Sequence, residues 1–287
     1  MLTLPRCRVL PVTLLTLIVS GASPARAERS LRVDPFFRDA AALNPQKIAA
    51  IHRGQAVAVV LSSRVPEEVF VFGAVYIEAP AESYLRMATD LGALRKLPNY
   101  LALEKFSEPP TLADLENFTL EPDDLKELRN CKPGDCDLQL PAEAMQQLRA
   151  QIAWGSAGAA AQADRAARQM ALDALLAYRQ GGNLALGTYR DKDKPAEVGK
   201  IFESLLTRVT TLPVYLPELN RVLLDFPSHP PIAAGRIESD FYWEKVDFGL
   251  KPTLRMVHRL GFRGAEPNEP SNAVVLKQLY ASHYLDR

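Results

Sequence analysis

The residues of this 287-residue chain best suited to moving protons near neutral pH are four histidines: His52, His229, His258 and His283. None belongs to an HExxH, HxH or other close metal-binding pair, so no metal centre is expected. His229 lies in a proline-rich turn, where a solvent-facing or capping role is the plain reading. His258 alternates in step with Leu254, Met256 and Leu260, and His283 in step with Leu279 and Ala281. If those strands pair, both rings could face one cavity, and Asp247 or Glu244 beside them would allow acid–base chemistry. A single histidine on an apolar strand face is more often a hydrogen-bonded structural residue.

Other nucleophile and cofactor signals are weaker. Ser156, in Trp154-Gly155-Ser156-Ala157-Gly158, lacks the first glycine of a nucleophile elbow and follows no expected strand, so it reads as a helix break. No phosphate-binding glycine motif occurs, and no cofactor is expected. Asp191-Lys192-Asp193-Lys194 reads as a solvated turn. Phe241, Tyr242, Trp243 and Phe248 form an aromatic group suited to a core or to the wall of an amphipathic-ligand pocket. The candidate ligand-binding set is Tyr242, Trp243, Phe248, His258, Tyr280 and His283, and no residue is assigned a catalytic role.

Two cysteines carry a different kind of chemistry. Cys131 and Cys136 flank Pro133-Gly134, in which proline presets one central turn position and glycine takes a positive φ at the next. Such a turn brings two Cβ atoms within disulfide range. The spacing is not CxxC, and no histidine stands close enough to complete a zinc site. A structural disulfide is therefore expected ahead of a free or redox-active pair. Its short loop puts the stabilisation at the low end of roughly 2–4 kcal/mol.

An oxidising compartment is expected from the first 27 residues. Arg6 and Arg8 precede an apolar run from Val9 to Val19, and Ala25-Arg26-Ala27 follows, the order of a cleaved secretory signal. The run is shorter than the roughly 20 residues that span a bilayer. Cleavage would remove Cys7 and three arginines, leaving 31 basic against 34 acidic residues and a net charge of −3. No basic stripe appears along the chain, so nucleic acid is not an expected partner. With 47% hydrophobic and 24% charged residues the mature chain reads as an ordinary globular protein, periplasmic or secreted, without stable membrane insertion.

The elements that must position these residues follow from periodicity. Pro45 to His52 reads as a short helix, and Ala56 to Leu61 as a buried strand. Val69 to Ala79 is the clearest strand, with apolar residues on both faces, which implies burial on both sides. Pro80 opens a helix running to about Lys96, with Tyr84, Leu85, Ala88, Leu91 and Leu94 on its apolar stripe. Tyr100 to Phe106 reads as a strand, Pro122 to Asn130 as a helix and Asp137 to Leu140 as a short strand. Pro141 to Arg179 is largely helical with a break at Gly155 and Gly158, and Gly181-Gly182-Asn183 ends it in a left-handed cap. Leu184 to Arg190 reads as a strand; Pro195 to Val209 and Leu216 to Asp225 read as helices, the latter closed by Pro227, Pro230 and Pro231. The period then changes to 2. Asp240 to Phe248, Thr253 to Phe262 and Ala273 to Tyr284 form an antiparallel meander. The expected class is α+β: one domain over residues 28–287, largely helical at about 110–236, with the meander packed against helices.

Tyr76-Ile77-Glu78-Ala79-Pro80-Ala81-Glu82-Ser83-Tyr84-Leu85, running on to Asp90, resembles the opening of START-like (Bet v 1-like, polyketide cyclase-like) domains. There a strand turns through Ala-Pro-x-Glu into a helix with an aspartate near its end. The segment from Tyr242 to Pro252 resembles the curved sheet of that fold. The same wording, with Cys131-Lys132-Pro133-Gly134-Asp135-Cys136, is similar to a group of uncharacterised secreted bacterial proteins. The resemblance covers about 80 residues. It implies a helix-grip sheet curved around a helix with an apolar cavity between them, interrupted here by a largely helical insertion and lacking the long C-terminal helix. Members mostly bind hydrophobic ligands, and some act on them.

Three readings of function follow. The first is an exported protein binding a hydrophobic or amphipathic small molecule in a sheet–helix cavity. The second is a cell-envelope structural or interaction protein without a ligand, which predicts a filled sheet–helix interface and an exposed apolar patch. The third is an enzyme acting on a hydrophobic substrate through His258 or His283.

Overall fold

The computed structural model describes residues 33–63, 65–66, 68–229, 235–249, 251–264 and 272–283, with the two-residue strand β1 (Leu15–Thr16). Apart from Leu15–Thr16, the expected signal segment lies outside the described residues, as do the prolines at 230 and 231, most of the last meander turn and Tyr284.

The N-terminal part is a small layer of its own. Helix α1 (33–39) and α2 (Pro45–His52) cover the hairpin β2 (Val57–Leu61) and β3 (Phe70–Ala74). The α2 boundaries follow from local chemistry: Asn44 accepts a hydrogen bond from the Lys47 N–H at 2.9 Å, and Pro45 takes the first helical turn. Phe37, Leu43, Ile48 and Ile51 pack against Val59 and Phe72. The other face of the hairpin is open: Val60, 74% exposed, pairs with Val71, 47% exposed. The two strands are therefore not buried on both sides, and β3 is shorter than the apolar run that contains it. A two-stranded sheet with one helical layer has only one face to cover, and the phenylalanines took it.

The main sheet has the order β1-β9-β8-β7-β4, all neighbours antiparallel. It combines β4 (Tyr100–Lys105) with the expected meander: β7 (Ile237–Asp247), β8 (Pro252–Arg263) and β9 (Asn272–Ala281). A register shift between Met256 and Val257 marks a bulge in the β8–β9 ladder.

One sheet face carries Leu103, Tyr242 and Val257 under α3 (Ala81–Thr89) and α4 (Leu91–Leu94). The expected single helix is two, because Asp90 takes an extended conformation and its carboxylate caps Ala93 N–H at 3.0 Å. An aspartate offers the backbone a better partner at a helix start than inside a helix.

The other face is covered by the middle of the chain. It holds α5 (Pro122–Asn130), α6 (Ala142–Gln151), the 23-residue α7 (Ala159–Gly181), α8 (Val198–Arg208), α9 (Thr211–Tyr215) and α10 (Pro217–Asp225). Phe118, Leu172, Leu175 and Tyr178 pack on Trp243, Leu254, Met256 and Leu279. Further along, Phe202, Leu206, Leu219 and Leu223 pack on Leu260, Phe262 and Val275. The break between α6 and α7 falls at Gly155 and Gly158 as expected. Asp137 to Leu140 has no strand pairing, and the segment Leu184 to Arg190 contains only β5 (Thr188–Tyr189), paired with β6 (Ala196–Glu197). Their apolar side chains serve helix packing instead of a ladder: Leu138 and Leu140 join Met145 and Leu148.

Cys131 and Cys136 are joined, with Cα atoms 4.6 Å apart. Gly134 has φ of +87°, and Asp135 N–H closes the turn on Lys132 O at 2.9 Å.

A buried lysine on a polar relay beside a cavity

The site is built where α7 ends. Gly182 continues the turn with φ +59° and ψ −140°, a conformation outside the left-handed cap expected there. A Cβ at Gly182 would stand 1.7 Å from Phe226 O, and one at Gly199 would stand 2.4 Å from Asn183 O. Only glycines let the turn Gly182–Ala185 slip between α8 and the end of α10. That insertion fixes Asn183. Its amide nitrogen donates to Leu223 O at 3.0 Å and Leu224 O at 2.8 Å, so its Oδ1 faces the sheet.

Opposite it stands Lys277 on β9, 1% exposed. Its ammonium donates to Asn183 Oδ1 and, at 3.1 Å, to Tyr178 Oη. Nζ also lies 3.8 Å from the Phe202 ring centroid and 4.6 Å from that of Tyr178. Among the described residues no carboxylate forms an ion pair with it. Burial lowers its pKa to about 7.

His258 is the cross-strand neighbour of Lys277. Tyr178 Oη lies 3.0 Å from its Nδ1, and Ser239 Oγ lies 2.7 Å from its Nε2. Burial first, then the charges of Lys277 and His229, hold the ring down to about 3, so it is neutral. Because the lysine donates to the Tyr178 oxygen, the phenol hydrogen points to Nδ1, and Nε2–H donates to Ser239. Burial pushes the Tyr178 phenol up, keeping its proton. The result is a continuous chain of hydrogen bonds, Lys277–Tyr178–His258–Ser239, inside a cage of Phe226 and Phe241 rings 4.7 and 4.5 Å from the imidazole.

Lys277 also lines a cavity of about 690 Å³ between the main sheet, α8–α10 and the β2–β3 layer. Its walls include Leu61, Phe70, Phe72, Leu205, Leu206 and Val275, with Glu68 and Arg208 as an ion pair among them. A second void of about 160 Å³ is lined by Phe118, Leu148, Met170 and Tyr280.

The six sequence candidates are dispersed by this architecture. His258 sits in the relay. Tyr280 lines the smaller void. Trp243 is core, its Nε1–H donating to Asp114 O at 2.7 Å and its ring edge-on to Phe118. Tyr242 faces the opposite side of the sheet, beside Arg259. Phe248 is 42% exposed under the Arg255 guanidinium. His283 lies beyond β9, with Nε2 at 3.0 Å from Asp124 Oδ1 and Nδ1 at 3.2 Å from Asp137 O. The strands pair, yet the two histidines keep separate partners. Glu244 cannot join His258 because it belongs to the other parity of β7, where it pairs with Arg255. Asp247 caps Gly249 N–H at 2.7 Å.

Lys277 escaped the sequence analysis, although one signal existed: it occupies the apolar parity of β9, in step with Ala273 and Val275. Tyr178 and Asn183 carried no such signal, being 99 and 94 residues away from it.

The fold and site define an α+β protein with a lysine-floored cavity. Among the described residues no helix is long and apolar enough to cross a membrane, and no group of three or more His, Cys, Asp or Glu could hold a metal. No protein-family model, no curated protein and no solved structure matches this chain.

Proposed function

We propose that the protein is an exported binder of an apolar or amphipathic small molecule, held in the cavity beside Lys277. The observation that carries this reading is the cavity itself. About 690 Å³ is within the range of small-molecule sites, and its walls are mostly aliphatic and aromatic with a few polar points. Protein interiors are close-packed, so an apolar space of this size between well-formed layers is suited to receive a ligand. The signal-like first 27 residues and the joined cysteines support export.

The test is a titration of the purified protein with decanol, followed by native mass spectrometry and calorimetry. The expected result is one saturable site that is lost in Leu205→Trp, where an indole would occupy the space next to half-buried Leu205. Equal uptake by the wild type and Leu205→Trp, or no uptake by either, would remove the cavity as the site.

A second reading, an interaction protein, is favoured by the open face of the hairpin. Val60 and Val71 pair across it and are both exposed, with Val69 beside them. Val60→Lys, at the most exposed of these valines and outside the cavity wall, should then abolish association with a partner while leaving decanol uptake intact; retained association would exclude the patch.

A further inference from the structure

We propose that Lys277 is a covalent attachment point, at which a ligand with an apolar chain and an aldehyde group is captured as an imine. This rests on the cavity reading above and names the chemistry of its ligand. Three observations converge on Nζ. Lys277 lines the cavity, and Nζ stands 3.8 Å from the ring centroid of Phe202, another cavity wall, so an apolar chain carrying a carbonyl carbon is brought to this side chain. Among the described residues it has hydrogen-bond acceptors but no carboxylate, so nothing holds it as a permanent cation. The titratable groups facing it are Tyr178 and, one strand over, His258, both neutral. A pKa near 7 then leaves a large share of free amine at neutral pH, whereas an ordinary lysine near 10.4 leaves almost none.

The amine and the aldehyde supply every atom of the reaction. The Nζ lone pair adds to the carbonyl carbon, a C–N bond forms, and the carbonyl π electrons move to oxygen, which takes up a proton. The carbinolamine then loses its hydroxyl with a second proton as water, and the C=N bond forms. Both amine hydrogens leave in that water, so amine plus aldehyde gives imine plus water with no redox partner. The proton shifts between nitrogen and oxygen pass through solvent water, while Tyr178 Oη, 3.1 Å from Nζ and itself hydrogen-bonded to His258 Nδ1 at 3.0 Å, keeps its proton and positions the amine.

The experiment uses decanal at limiting concentration and neutral pH, trapping with sodium cyanoborohydride, and intact and peptide mass spectrometry. A single decyl adduct on the peptide containing Lys277 is expected, forming at least tenfold faster than on any other lysine. It should vanish in Lys277→Arg and Lys277→Met, both of which should still unfold cooperatively in urea. Adducts spread over surface lysines, at rates unchanged by either substitution, would overturn the inference. If decanol binds but Lys277 stays unlabelled, the attachment is wrong and the cavity reading stands. If neither aldehyde nor alcohol binds, both fall.

Discussion

Two lysines are buried on the same helix-covered face of the sheet, and their surroundings make them chemically different. Lys245 on β7 is 7% exposed and meets Glu121 Oε1 at 2.8 Å and Thr119 Oγ1 at 3.1 Å. Lys277 on β9 is more deeply buried and meets a phenol, an amide oxygen and two aromatic rings. Removing a cation from water is costly, and a carboxylate offsets that cost by coulombic attraction. Neutral oxygens and ring faces offset less, so the cheaper course for Lys277 is to give up its proton. The teaching is that burial alone does not make a lysine reactive; burial without a counter-charge does. The histidines differ in partner as well, since His283 rests on Asp124 and His258 on a phenol and a hydroxyl.

The comparison breaks most completely if the turn that brings Asn183 to Lys277 cannot form. Gly182→Ala puts a Cβ 1.7 Å from Phe226 O at a positive φ, and is expected to cost more than about 3 kcal/mol in urea unfolding. Gly54→Ala, also at positive φ but with its nearest neighbour at 3.8 Å, serves as the control and should cost about 1 kcal/mol. Equal losses would show that backbone conformation, and not the close approach, requires the glycine at 182.

Next in size is Lys277→Met, whose effect should change with pH. The lysine pKa is about 7 folded and about 10.4 unfolded. Below pH 7 both states are protonated, and the folded state bears the full cost of a buried cation. Between pH 7 and about 10 the folded state releases its proton first, so wild-type stability gains with rising pH. The variant lacks this term. It should therefore be more stable than wild type at pH 6, by on the order of 2 kcal/mol once the orphaned Asn183 oxygen is counted, and should lose that advantage by pH 10. A stability difference independent of pH would mean that Lys277 keeps an ordinary pKa.

The smallest effect comes from converting the paired lysine toward the unpaired one. Glu121→Gln keeps an acceptor for the α5 backbone but removes the charge facing Lys245, with Glu121 about one-third exposed. A loss of about 1–2 kcal/mol is expected, appearing as a lower urea midpoint with an unchanged slope. No loss would show that Thr119 and water suffice for Lys245, and the contrast with Lys277 would need another cause.

Local chemistry carried much of the fold into the sequence. Asn44-Pro45 and Pro122 announced their helices, Pro133-Gly134 announced the cysteine turn, and the change from period 3.6 to 2 announced the meander. Expectations failed where an apolar run had no partner of its own kind. Leu138 and Leu140 went to a helical cluster, and Val60 and Val71 of β2–β3 stayed in solvent because one helical layer covers only one face. The candidate site was half legible. His258 stood out by residue type, yet its partners come from α7, β7 and β9, and only packing brings those together.

The sequence by itself determined where several helices begin, which cysteines meet, and that an antiparallel meander follows the helices, because each depends on residues within a turn or two of one another. Tertiary structure alone decided that Lys277 shares a buried site beside a cavity with Tyr178 and Asn183, 99 and 94 residues away. The reactivity of a lysine is set by the charges and dielectric around it, and those are properties of what packs against it.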